Sequence, residues 1–403
     1  MKSLSTALLA AAISVAAVAA APAQGAPRLA LSRSAAEPGQ LVAVAGHGFA
    51  QRSPVRIALG ARTVRRGRTG PGGGFRVTFR VPDRSARWAR VKAFVRGRSA
   101  GRRFRIRRGS EPPTLVAAGD VACAPLLAET ATECRHARTA ELVERLAPDA
   151  VAVLGDAQDD HGELEEFQAA YDPTWGRFKA MTYPAPGNHD YQGAPERDAA
   201  PGYFAYFGAV AGHPSRGYYR WRLGDWTMLA LNSGSIKHTR AGDAASLTND
   251  CWPVSCAKGS AQERWLRRQL EGLRRGSCVL AYWHHPRFSS GFGGAHQPHR
   301  ETGPLFRALY EHRAELVLGG HVHNYERFGP RSPGGRPDER GVTQFVVGTG
   351  GNALHKETGT PLTTTLRTDV FGVLELTLAP AGWRSRFVAE DGSTVDTAEG
   401  DCR

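Results

Sequence analysis

Four short apolar runs in this chain each break off at a turn and then at a carboxylate or an imidazole: TLVAAGD (114–120), AVAVLGD (150–156), CVLAYWHHP (278–286) and AELVLGGHVH (314–323). Uninterrupted runs of four or five apolar residues read as buried strands. Residues 136–146 carry a helical pattern between the first two. SAQE (260–263) reads as a capping box, with Ser260 as cap and Glu263 reaching back, and Trp265, Leu266, Leu270 and Leu273 follow at helical spacing. Strands separated by helices imply an α/β body from about residue 113, whose ligands bind at the carboxyl ends of its strands. In VLGDAQDDHG (153–162), Asp156, Asp159 and Asp160 crowd one such end. Like charges repel, so a positive partner is expected among them.

Asp120, Asp156, Asn188, His284, His321 and His323 each follow an apolar or turn-forming segment. In a parallel-rich sheet these positions meet at one rim. Carboxylate, amide oxygen and imidazole together suit Zn, Mn or Fe, and a tetra-thiolate site is excluded because no cysteine takes part.

Charge divides the chain in two. Residues 24–110 hold 21 Lys+Arg against two acids, Glu37 and Asp83, a surplus of 19. Subtracting that surplus and Lys2 from the net +14 leaves residues 111–403 at −6. The basic head reads as all-β: Phe75, Val77, Phe79 and Val81 alternate with Arg76, Thr78 and Arg80, and Phe104 and Ile106 repeat the scheme. Clusters such as TGPGGG (69–74) mark its turns. Its Arg-lined face either contacts an anionic polymer or cell surface or is simply solvated. The aromatic residues alternate inward and form no stacking platform for bases.

Lys2, an uncharged Ala-rich run over 4–20 and the small-x-small motif Ala21-Pro22-Ala23 read as a signal peptide over 1–23, so export is expected. No later segment reads as a bilayer span. Six cysteines suit an oxidising compartment and allow fifteen pairings. Proximity suggests Cys123 with Cys134 and Cys251 with Cys256, which leaves Cys278 for Cys402.

GD at 119–120, GD at 155–156, GNHD at 187–190, HHP at 284–286 and GHVHNYER at 320–327 together resemble, in order, the five blocks of the calcineurin-like metallophosphoesterases. The last block resembles purple acid phosphatases and their secreted bacterial relatives. The resemblance spans roughly 114–350. It implies a four-layer α/β/β/α body over 113–403, and PGQLVAVAGHGF (38–49) resembles the opening of an immunoglobulin-like sandwich over 24–110. It further implies two metal ions (Fe, Zn or Mn), with Asp156 bridging them. The first ion would take Asp120 and His323; the second would take Asn188, His284 and His321. His285 would support the site or pack beside it. His189 would contact a phosphate oxygen or protonate the leaving alkoxide, oriented by Asp190.

One departure stands out. The wider family places a histidine two residues after the first Asp, and purple acid phosphatases place a tyrosine three residues after the bridging Asp. Here those positions hold Ala122 and Asp159. Asp159 matches the charge of a phenolate but is shorter. Either its loop moves inward, or a water bridges, or Asp160 or His161 takes its place. Loops 233–258 and 287–303 are expected to rim the site, where His296, His299 and Arg300 either meet substrate phosphate or sit exposed. The implied activity is hydrolysis of phosphate monoesters by a metal-activated water. Phosphodiesterase action on nucleotides or lipid headgroups, a degenerate polyanion-binding protein and a nuclease remain as alternatives.

Overall fold

The computed structural model describes residues 26–33, 35–82, 88–106, 111–193, 199–237, 250–274, 276–291, 298–355, 365–367 and 369–403. The expected signal peptide, the middle of loop 233–258 and residues 292–297 with His296 lie outside them.

The head builds two sheets, one of three strands (Arg28–Leu31, Leu41–His47, Phe75–Arg80) and one of five (Ala35–Ala36, Pro54–Leu59, Arg62–Arg68, Trp88–Val95, Arg98–Ile106). Phe75, Phe79, Val81, Phe104 and Ile106 turn inward to a core shared by both sheets, while Arg76, Thr78 and Arg80 are exposed. The alternation in the sequence is therefore realised, with Val77 only partly buried against that core.

In the body, strands Thr182–Ala185, Ala150–Leu154 and Thr114–Ala118 run parallel. Three antiparallel strands, Gly372–Ala379, Gly382–Ala389 and Thr394–Asp401, extend them into a six-stranded sheet. A second, seven-stranded sheet has a parallel centre of Trp226–Ala230, Val279–Tyr282, Leu316–Gly319 and Val342–Val347. Alternation along these central strands decides the layering. Met228, Ala230, Leu280, Tyr282, Leu316 and Leu318 face the first sheet and share its core. Leu229, Leu231, Val279, Ala281 and Val317 face the other way, onto Leu266 and Leu270 of helix Ala261–Glu271 and Leu305, Phe306 and Leu309 of helix Gly303–Glu311. Helix His136–Leu146 covers the outer face of the first sheet, burying Ala140, Leu142 and Val143. The order is helix, sheet, sheet, helix.

Ser260 caps its helix by accepting from the Glu263 amide at 3.1 Å. Glu263 reaches back one residue further than expected, to the Gly259 amide, because the Ser260 amide is already bonded to the Ala257 carbonyl. The three disulfides form as spacing suggests, Cys123–Cys134, Cys251–Cys256 and Cys278–Cys402. Among the described residues no helix is long and apolar enough to cross a membrane.

The head meets the body through Arg28, which pairs with Asp172 at 3.0 Å, and through Leu31, Arg102 and Arg103, which line a crevice with Val143, Ala147, Phe178 and Met181. Ala147 and Met181 lie just before strands Ala150–Leu154 and Thr182–Ala185. The head thus sits at the amino ends of these strands, opposite the rim that carries Asp156.

Candidate metal centre

Backbone conformation aims the rim side chains. Among the described residues eight non-glycine residues have positive φ, and three of them are Asp120 (57°), Asp156 (46°) and His321 (69°). Such conformations strain an L-residue and persist where surrounding structure enforces them, commonly at functional sites. Here each of the three follows the end of a strand by two residues. Gly155, at φ 91°, must lack a side chain, since a Cβ there would collide with the His284 imidazole.

Two donor sets result. In one, Asp120 Oδ1 lies 3.3 Å from His323 Nε2, which is 3.5 Å from Asp159 Oδ2. In the other, His284 Nε2 lies 2.9 Å from Asp156 Oδ2, 3.0 Å from Asn188 Oδ1 and 3.2 Å from His321 Nδ1. Donors bound at about 2.1 Å to one cation stand roughly 3.0–3.4 Å apart at tetrahedral or octahedral angles. The five separations from His323 and His284, 2.9–3.5 Å, match that range to within about 0.1 Å. The ligand atom of Asp156 is within 4.8 Å of those of Asp120 and His284, and of those of Asp159 and His189, so this carboxylate borders both sets.

The buried oxygens Asp120 Oδ1 and Asp159 Oδ1 complete no hydrogen bond; each only faces a ring nitrogen, His323 Nε2 at 3.3 Å and His189 Nε2 at 3.2 Å. Unsatisfied buried carboxylate oxygens are costly unless a cation meets them, so the residues present fit a pair of metal ions. Electrostatics agree. Burial, then Asp156 and Asp120, push the Asp159 carboxyl well above the usual range. Burial opposes charge on Asp156, but His284 and His189 outweigh it and hold its pKa down. Burial also opposes charge on His284, yet Asp156 and Asp120 push its imidazole up to about 9. Cations between these carboxylates would relieve their repulsion.

The short side chain at 159 reaches the site because its backbone is drawn in. The Val121, Ala122 and Asp159 amides donate to the Asp156, Ala157 and Ala122 carbonyls, so 156–159 continues alongside 120–122 beyond the strand ends. Ala122, where the wider family has an imidazole, is fully buried against this segment. The other two substitutes turn away. His161 Nδ1 lies 3.1 Å from Asp160 Oδ1, and both cluster with Glu166 toward solvent.

His189 lies beside Asp159, Nε2 to Oδ1, at 3.2 Å. Its orientation corrects the sequence-based expectation. Nδ1–H donates to the Asp160 carbonyl at 2.8 Å, and Gln192 Nε2 is 3.0 Å away. Asp190 instead accepts from the Gly187 amide at 2.9 Å and is fully buried. The two residues open a 3-10 turn, His189–Tyr191. Successive residues of such a turn point about 120° apart, so Asp190 braces the turn below Asn188 rather than the imidazole.

His285 Nδ1 is 2.9 Å from Ser233 Oγ, and its ring packs 4.3 Å from that of His321. His299 is 2% exposed and packs edge-to-face against both rings, while Arg300 points to solvent. Sequence reasoning missed the segment 348–355. The Gly350, Asn352 and His355 amides donate to the Gly119, Asp120 and His323 carbonyls. Asn352 Nδ2 contacts Asp159 Oδ2, and the His355 ring stacks on His323 at 4.1 Å and 4°. The signal was present as VVGTGGN (346–352), a fifth apolar run ending in glycines and a polar side chain.

Comparison with known proteins follows the same lines. Purple acid phosphatase 15 of Arabidopsis thaliana is 28% identical over 199 residues, 47% of this chain and 34% of that protein. Probable purple acid phosphatase 20 of the same plant is 36% identical over 100 residues, 23% of each. The chain thus spans about a third or less of the length of these curated relatives. A purple acid phosphatase from yellow lupin seeds (Lupinus luteus) shares the fold, with TM-score 0.59 and 15% identity, covering 93% of this chain and 74% of that one. The family model for calcineurin-like phosphoesterases matches residues 113–325, more than half of the chain and all the described donor residues. The chain belongs to the calcineurin-like phosphoesterase family.

Proposed function

We propose that this chain is a metal-dependent phosphatase that hydrolyses phosphate monoesters at a two-metal centre. One observation carries the reading: seven side chains from five separated segments converge as two donor sets of metal-like spacing. Asp120, Asp159 and His323 would hold the first ion. Asn188, His284 and His321 would hold the second, and Asp156 would join them. Bound there, the two cations would supply Lewis acidity to phosphoryl oxygens and lower the pKa of a water. His189, anchored by Nδ1–H on the Asp160 carbonyl, offers Nε2–H to the departing oxygen. Asp159 in the position of a missing ligand speaks against the degenerate-protein reading.

We also read residues 1–23 as a signal peptide, 24–110 as an immunoglobulin-like module and 113–403 as the catalytic body. The Ala-rich leader and three disulfides support export. The head's position at the amino ends of the strands gives it no part in lining the reactive rim, so contact with an anionic polymer would be separate from catalysis.

The test pairs elemental analysis with nitrophenyl phosphate and bis(nitrophenyl) phosphate as substrates. Two metals per chain and faster turnover of the monoester are expected. Faster diester turnover would replace the monoester reading, and a chain without metal or turnover would end the enzyme reading.

A further inference from the structure

Resting on that reading, we propose that Asn352 is the positioning residue of the first metal subsite, and that the Cys123–Cys134 disulfide holds it in place. Asp159 completes the first donor set with Asp120 and His323. Its carboxylate is buried beside Asp120 and Asp156, so repulsion drives it away from the direction in which it must point. Asn352 opposes that drive. Its Nδ2–H donates to Asp159 Oδ2, the oxygen that also faces His323. A carboxylate oxygen accepts one N–H and keeps a second lone pair for a cation, so the contact orients the ligand without consuming it. Partners of this kind fix ligand orientation at metal sites.

The grip on Asn352 comes from both ends of one disulfide-closed loop. Its amide donates to the Asp120 carbonyl at 3.0 Å, its carbonyl accepts from the Cys134 amide at 2.6 Å, and its Oδ1 lies 3.2 Å from Cys123 Sγ. The next contacts outward repeat the arrangement: the Arg135 amide donates to the Gly351 carbonyl, and Glu133 pairs with Ala353. Cys123 and Cys134 are 11 residues apart in sequence and covalently joined. Asn352 is therefore seated against the two joined ends of a closed loop, and opening that loop frees the backbone that carries the amide.

The test measures metal affinity rather than turnover. Chelator-stripped full-length protein is titrated with Zn(II) against a chromophoric chelator. Wild type binding two equivalents upholds the two-metal reading, and fewer would end that reading whatever Asn352 does. Asn352→Ala is expected to weaken one equivalent about 10–100-fold, the usual range for loss of a ligand's supporting partner, and to leave the other within about twofold. Asn352→Leu, of similar size without an amide, is read the same way should the alanine variant fold poorly. Asp159→Asn should weaken the same equivalent, and adding Asn352→Ala to it should bring no further loss, since the amide acts through that carboxylate. Fully additive losses, or equal weakening of both equivalents, would overturn the positioning role. Cys123→Ala/Cys134→Ala should weaken the same equivalent as Asn352→Ala. An unchanged titration would remove the disulfide from the proposal.

Discussion

Replacing Asp190 separates two descriptions of how His189 is held. If Asp190 oriented His189 as a carboxylate orients imidazole in a catalytic triad, Asp190→Asn would lower kcat by about 10⁴ through the wrong tautomer. The structure instead places Asp190 on the Gly187 amide and His189 on the Asp160 carbonyl. Asparagine keeps an oxygen for Gly187, so we expect kcat within about threefold of wild type and a stability change within the roughly 0.5–1.5 kcal/mol of one buried hydrogen bond. Asp190→Ala leaves that amide without a partner and should lose about 1–3 kcal/mol by urea denaturation. The pH dependence has a definite sign. Burial and Asp156 hold the Asp190 carboxyl well above its ordinary value. A folded-state pKa above the unfolded one contributes stability that is complete below the unfolded pKa and fades as pH rises through the folded one. Asparagine has no such titration, so in chelator-treated protein the stability of Asp190→Asn relative to wild type should increase with pH. The assays are steady-state kinetics with nitrophenyl phosphate and urea melts at several pH values. A fall in kcat beyond about 100-fold, in a protein as stable as wild type, would refute the assignment of His189 to the Asp160 carbonyl.

His189→Ala should reduce turnover of alkyl phosphates about 10²–10⁴-fold, as loss of a general acid does, and nitrophenyl phosphate far less. Equal losses across a leaving-group series would remove the acid role. With Asp159 in the place of the family tyrosine, iron-loaded protein should lack the tyrosinate charge-transfer band. The Tyr191 hydroxyl already accepts from Asn232 Nδ2 at 2.8 Å, and a visible band surviving replacement of every tyrosine near the site would contradict the ligand scheme. Cys278–Cys402 closes a sequence separation of 124 residues, for which chain entropy predicts about 5 kcal/mol, against about 2 kcal/mol for the short Cys251–Cys256 loop. Paired alanine variants compared by urea denaturation should keep that order, and the reverse order would show that native contacts, not loop closure, dominate.

Local pattern was enough for much of this molecule. The unalternated runs at 114–118, 150–154 and 314–319 and the alternation at 75–81 each state a period and a face, and backbone geometry turns these into buried or half-buried strands wherever they are placed. The polar residue after each run was equally legible, because a parallel sheet presents all such ends at one rim. Cys123 and Cys134, and Cys251 and Cys256, were paired by proximity alone. Which neighbours those ends meet was decided elsewhere. Asp159 reaches the site through the pairing of 156–159 with 120–122. Asn352 arrives from the far sheet on backbone bonds to Gly119 and Asp120, and His355 on a bond to His323. His189 and Asp190 are adjacent in sequence, yet one 3-10 turn sends them to different partners. The head's place at the amino ends depends on surfaces separated by more than a hundred residues, Arg28 against Asp172 among them. Residue type and spacing carry short-range periodicity and donor chemistry. Direction depends on φ, register and long-range hydrogen bonds, which exist only once the two sheets have closed on each other.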